Sequence, residues 1–129
     1  KSMDTFGPIG PVLVSADELA NPNSLALECV INGELRQKDN TEDLIFDVPT
    51  LVSYLSHLVT LQTGDLIFTG TPGGVGAIEG RFLQDGDRVT TTIEGLGTIV
   101  NRCVRGEDHP NVTAVPAFIQ AKIDETKAE

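Results

Sequence analysis

The chain has 129 residues, 40% of them hydrophobic and 22% charged, the balance of one soluble globular domain long enough to bury a core. Its formal net charge is −10, from 19 acids against nine Lys and Arg, and its pI is about 4.4. So few cations, spread along the chain, make no patch for a phosphate-rich partner, which argues against nucleic acid.

No apolar run approaches the length of a membrane span and no stretch reads as a targeting segment, so the expectation is a cytoplasmic protein with no membrane partner. The chain opens at Lys1, with no Met, inside sequence that looks ordered. We therefore expect further sequence ahead of it. Cys29 and Cys103 show no CxxC spacing and no neighbouring His, and read as two buried thiols in a reducing compartment.

Residues 1–11 are loop-like, broken at Gly7-Pro8 and Gly10-Pro11. Residues 12–14 (Val-Leu-Val) read as a short strand, and residues 15–18 (Ser-Ala-Asp-Glu) as a capping box opening a brief helical turn. A strand is expected over residues 25–31 with Glu28 outward. Asn32-Gly33 is a strong hairpin signal, and residues 34–38 return as the partner strand. Residues 39–47 form a polar, irregular crossing. Pro49 marks the first turn of a helix whose apolar stripe is Leu51, Val52, Leu55, Leu58 and Val59, with His57 beside it.

Residues 61–67 and 83–89 both read L-Q-x-G-D-x-aliphatic, two similar turns each expected to launch a strand. The first leads into D-L-I-F-T-G-T-P-G-G-V-G (65–76). Its apolar run reads as a buried strand feeding a glycine-rich loop, where backbone N–H groups and the hydroxyls of Thr69 and Thr71 make a cradle for a carboxylate or phosphate. The plain alternative is a tight connector between two core strands. The second turn leads to a hairpin, residues 89–94 and 98–104, through Gly95 and Gly97. Residues 117–123 suggest a short terminal helix. The tally favours a mainly β (α+β) fold, a roll, sandwich or barrel with one clear amphipathic helix.

Several catalytic motifs are excluded. The loop lacks the Gly-Lys-Ser/Thr ending of a P-loop, and Glu79 occupies the third glycine position of a G-x-G-x-x-G count from Gly74. There is no G-x-S-x-G, no H-x-x-x-H and no E-x-E, and the only histidines are His57 and His109.

Three ordered motifs nevertheless carry a resemblance: K-S-M-D-T-F-G-P (1–8), N-G-E-L-R-Q (32–37) with N-T-E-D-L-I-F (40–46), and G-D-L-I-F-T-G-T-P-G-G-V-G (64–76). F-L-Q-D-G-D (82–87) and I-E-G-L-G-T (93–98) fit the same pattern. The chain resembles the fumarylacetoacetate hydrolase family, in its short branch acting on 2-oxo and 2,4-dioxo acids, over residues 1–104. Residues 105–129 are a C-terminal extension with no assignment.

The resemblance implies a mixed β-sandwich roll of the family's C-terminal domain type, a homodimer, and a divalent metal, Mg²⁺ or Mn²⁺. It implies that the metal carboxylates (an E-x-E pair and a later Asp) and a lid His/Glu pair precede Lys1, so that this chain holds none of the main ligands and is inactive alone. Lys1 matches the family's active-site lysine, whose ammonium stabilises charge developing on a substrate oxygen. Thr71 matches the threonine that holds the substrate carboxylate, with Gly70 adding its N–H. Lys1 and Thr5 match a structural cation site of some members, while Thr41 and Phe46 read as packing. Met3 stands where the family usually has Phe.

The activity implied is a metal-dependent C–C bond hydrolase acting on a 2,4-dioxo acid (acylpyruvate-like) through a stabilised enolate. Oxaloacetate-type decarboxylation and 2-hydroxy-dienedioate isomerisation use the same enolate logic. A different class, a non-catalytic β-roll interaction module, has no evident need to keep Lys1 and an intact T-G-T-P-G-G-V-G loop.

Overall fold

The computed structural model describes residues 5–19 and 21–106. Lys1 and the helix expected over 117–123 lie outside the described residues. In chain order the elements are β1 (Ala26–Ile31), β2 (Glu34–Asn40), a 3₁₀ turn (Thr41–Asp43), α1 (Val48–Leu58), β3 (Arg88–Ile93) and β4 (Gly97–Arg102). The strands form one antiparallel sheet in the order β2-β1-β3-β4. Among the described residues the fold is mainly β with one α-helix, as the sequence led us to expect.

The β1–β2 hairpin follows from Asn32-Gly33. Both residues take positive φ, 52° and 87°, which a two-residue turn matched to the strand twist requires and which Asn and Gly tolerate. Asn32 also ties this turn to the sheet centre. Its side-chain amide donates to Asp87 (2.7 Å) and its side-chain oxygen accepts from the Arg88 N–H (2.9 Å). Gln84 N–H and the Asn32 amide together hold the Asp87 carboxyl below the usual carboxylate range.

The repeated L-Q-x-G-D pattern is one turn used twice. In each copy the Gln N–H donates to the Asp carboxylate (2.8 Å at Asp65, 2.7 Å at Asp87), and the Asp N–H returns to the Gln carbonyl (3.1 Å in both). Only the second launches a strand.

Helix α1 starts where Asp47 caps it by accepting from the Thr50 N–H at 2.9 Å, with Pro49 in the first turn. Of its apolar stripe, Leu51 and Leu55 are half-buried, while Val52, Leu58 and Val59 are exposed. Among the described residues no helix is long and apolar enough to cross a membrane.

Two expected strands are corrected. Residues 12–14 and 66–69 are not in strands, because neither segment has a hydrogen-bonding partner strand among the described residues. Nor is the second run buried: Leu66 and Phe68 are 60% and 76% exposed. The expected helical turn at residues 15–18 is a single turn closed by Glu18 N–H on the Ser15 carbonyl. Glu28, expected outward, is half-buried, and so are the two thiols.

Within the described residues only Leu25 is a buried hydrophobic. It lies where Thr41 closes the segment before β1: the Thr41 hydroxyl accepts from Leu25 N–H (2.9 Å) and donates to the Pro22 carbonyl (3.0 Å). Thr41, expected to pack, is thus a hydrogen-bonded clasp, and Phe46 is 60% exposed.

Candidate functional site

The site begins with an irregularity in β2. Cys29 pairs with Gln37 and Val30 with Leu35, so Arg36 is an extra residue on its strand. Such a bulge bends a strand and re-aims side chains. Here Arg36 and Gln37, neighbours in sequence, both engage the segment 71–81.

Gln37 holds the glycine-rich loop by its side-chain amide. Nε2 donates to Thr71 Oγ1 (3.0 Å), the Pro72 carbonyl (2.9 Å) and the Gly73 carbonyl (3.2 Å). The backbone of the loop comes against β2 at Gly74. A Cβ there would overlap the Arg36 carbonyl oxygen and press on the Gln37 side chain, and φ is +90°. Only glycine permits this approach. Gly76 plays the same part against the Arg81 carbonyl.

Arg36 continues the docking by charge. It pairs with Glu34 (3.2 Å) and Glu79 (3.3 Å), while Arg81 pairs with Glu34 (3.2 Å) and Glu79 (3.7 Å), making a ring of two guanidinium and two carboxylate groups. Arg36 is the sheltered member, its side chain 11% exposed; the other three are open to solvent, where ion pairs contribute little. The ring neutralises itself. Neither Arg36 nor Arg81 is a free cation for a substrate.

The loop's own groups remain available. Among the described residues no acceptor takes the backbone N–H of Gly70, Thr71, Gly73 or Gly74. Thr71 accepts from Gln37, so its hydroxyl proton is unspent toward this partner. Gly70 has φ +124° and open space around it. These donors, with no carboxylate among their contacts, suit an anion with two oxygens, and a carboxylate fits.

Thr71 and its sequence neighbour Gly70 lie on the loop docked against β2. Lys1 lies outside the described residues, and its position beside that loop remains an implication of the resemblance. Thr5 sits in an exposed turn with φ 67°. Among the described residues no group of three or more His, Cys, Asp or Glu comes together to hold a metal ion. The described residues by themselves do not make a divalent metal centre.

Sequence reasoning missed Gln37, Arg36, Glu79 and Arg81. The available signal was the glycine spacing at 74 and 76, which announces a close backbone approach. What approaches was not readable, because the bulge at Arg36 leaves no mark in the strand's composition.

Residues 1–104 match the family model described as "Fumarylacetoacetate (FAA) hydrolase C-terminal". The chain is 46% identical over 106 residues to a Bos taurus protein named "Oxaloacetate tautomerase FAHD2B, mitochondrial", covering 81% of this chain and 34% of that protein. It is similar to the crystal structure of maleylpyruvate hydrolase from Sphingobium sp. SYK-6 in complex with manganese(II) ion and pyruvate. The TM-score is 0.73 and the identity 42%, over 78% of this chain and 36% of that one. A third likeness is to 2-hydroxyhepta-2,4-diene-1,7-dioate isomerase from Mycobacterium marinum, with TM-score 0.71 and 44% identity over 79% of this chain and 37% of that one. The chain spans about a third of the length of the relatives it matches.

Proposed function

This chain belongs to the fumarylacetoacetate hydrolase family, and on that footing we propose that it forms the carboxylate-binding wall of an enzyme acting on a 2-oxo or 2,4-dioxo acid through its enolate. The observation that carries the reading is the docked loop, which gathers on one segment the Thr71 hydroxyl and the N–H groups of Gly70, Thr71, Gly73 and Gly74, none of which has an acceptor among the described residues. The solved relative that holds manganese and pyruvate supports a small 2-oxo acid as ligand and a divalent metal as cofactor. We assign Mg²⁺ or Mn²⁺ to the complete protein, with ligands from outside the described residues.

In this reading the loop orients the substrate by its carboxylate. Charge-assisted hydrogen bonds from Thr71 and the loop N–H groups fix one end of the acid, and so set where its oxo group and C3 lie. Lys1 supplies a cation for the oxygen on which enolate charge develops.

The reaction we carry is C–C bond hydrolysis of a 2,4-dioxo acid. A second reading, keto–enol tautomerisation of oxaloacetate, is favoured by the 46% identity to the bovine tautomerase. The complete protein, supplied with Mg²⁺ or Mn²⁺, is assayed by loss of the substrate's enol ultraviolet band and by product analysis. Two smaller acids mark a hydrolase, and interconversion without fragmentation marks a tautomerase or, with a dienedioate, an isomerase. Release of carbon dioxide marks a decarboxylase.

Lys1→Ala is expected to abolish most turnover. Thr71→Val raises KM about tenfold or more with a smaller effect on kcat, the scale of one hydrogen bond to a charged group. Undiminished turnover in Lys1→Ala rejects the role of Lys1, and full activity after chelation rejects the metal. A protein that turns over none of these acids is the non-catalytic interaction module. A homodimer belongs to the same proposal, with a light-scattering mass twice that of the chain as its readout. The cytoplasmic expectation is not carried further, since the bovine relative is named mitochondrial.

A further inference from the structure

We infer that Gln37 is a positioning residue that sets the polarity of the carboxylate wall, turning the loop's carbonyls toward β2 and its donors toward the substrate. The inference rests on the proposed role of the Thr71 loop and adds to it the residue that makes the loop a donor surface.

The geometry begins with peptide planarity. In a trans peptide the carbonyl and the N–H of one unit point in opposite directions. The Pro72–Gly73 and Gly73–Gly74 bonds are trans, since the cis bond among the described residues is at Gly10-Pro11. The Pro72 and Gly73 carbonyls both accept from Gln37 Nε2. The N–H groups of Gly73 and Gly74, belonging to those same two peptide units, therefore point away from Gln37. Two successive N–H groups directed to one side form an anion-binding concavity. The third acceptor of Gln37 is Thr71 Oγ1. A hydroxyl that accepts from an amide has its own proton left to donate elsewhere. The two hydrogens of one half-buried amide nitrogen are thus shared among three oxygens of the loop, leaving the Gly73 and Gly74 N–H groups facing the other way and the Thr71 hydroxyl with a proton still to donate.

An amide is required for this. Carboxylate at position 37 would face two carbonyl oxygens and a hydroxyl with no proton to offer, and would invite the loop to reverse its peptides or leave β2. A thioether of similar length would fill the space and orient nothing. The adjacent charges do not substitute for Gln37: Arg36 and Arg81 are paired with Glu34 and Glu79. Lys38 and Asp39 follow on β2, and Cys29 is the register partner on β1.

The test uses the complete, metal-loaded protein with pyruvate as the binding probe and a 2,4-dioxo acid as the substrate. Gln37→Met is expected to raise KM about tenfold or more while kcat changes less than threefold. Gln37→Glu raises KM further at neutral pH and recovers toward the Gln37→Met value as the pH falls and the new carboxyl gains a donor proton. Gln37→Met and the native protein, which share the neighbouring Arg36, Arg81, Glu34, Glu79, Lys38, Asp39 and Cys29, show no such recovery.

In the native protein, pyruvate should slow hydrogen exchange at the Gly73 and Gly74 amides, a readout that does not depend on any variant folding. Unchanged KM in Gln37→Met alongside a raised KM in Thr71→Val overturns the role of Gln37 alone. Unchanged KM in both removes the carboxylate wall itself. Pyruvate binding with no slowing at Gly73 and Gly74 also overturns the inference.

Discussion

Replacing Gly74 by Ala tests the docking of the loop on β2 at its tightest point. The new Cβ would overlap the Arg36 carbonyl oxygen, a backbone atom of β2, and φ at this residue is +90°. An L-residue in left-handed backbone costs about 1–2 kcal/mol, and forcing an extra carbon into a packed contact costs about 1–3 kcal/mol. The loop can escape that strain only by leaving β2, which gives up the hydrogen bonds of the two Gln37 amide hydrogens, each worth about 0.5–1.5 kcal/mol net. The cheaper route therefore loses about 1–3 kcal/mol of docking energy, which would open the loop about 5- to 150-fold more often. Gly73→Ala is the control, because nothing lies within 4 Å of its added Cβ. Amide hydrogen exchange over residues 70–76 and the urea midpoint of the complete protein are the measurements. Gly74→Ala should lose protection in the loop and raise KM for the acid, and Gly73→Ala should match the native protein in exchange and urea midpoint. Equal exchange in the two variants would refute the contact with β2.

Acid lability is a second expectation. The Asp87 carboxyl is lowered by the Gln84 N–H and the Asn32 amide, and the Asp47 carboxyl by the Thr50 side chain and N–H. Each favours the folded state above its unfolded pKa, near pH 4, and that contribution is lost as the pH falls through the lower folded value. Asp87→Ala should therefore lower the urea midpoint at pH 7 and narrow its difference from the native protein below pH 4. The opposite sign holds at Asp43, whose carboxyl is raised by its hydrogen bond to Asp39 and by the charge of that neighbour. Asp43→Asn keeps a donor for Asp39 and removes a charge, so it should raise the urea midpoint at pH 7 and lose the advantage near pH 3.

The local signals were legible wherever one residue's chemistry decides the backbone. Asn32-Gly33 specified the hairpin, Asp47 and Pro49 the helix start, and Gly95 with Gly97 the second hairpin. The two L-Q-x-G-D copies formed the same hydrogen-bonded turn because Asp and Gly dictate it. Residues 66–69 misled, since an apolar run promises a strand only where another strand is there to pair with it. Thr71 and Gly70 could be found from the motif, but Gln37 could not. Its role depends on a bulge and on a loop 34 residues away, and a lone Gln in a strand carries no signal of either. The four-charge ring is equally a product of tertiary contact between β2 and the loop.

The central claim is that the Thr71 loop holds a substrate carboxylate, and the most direct measurement compares the binding of pyruvate with that of its uncharged methyl ester in the native protein and in Thr71→Val. The native protein should prefer the acid, and Thr71→Val should lose about tenfold or more of that preference, while its affinity for the ester stays unchanged. The same preference for the acid in both proteins would contradict the account.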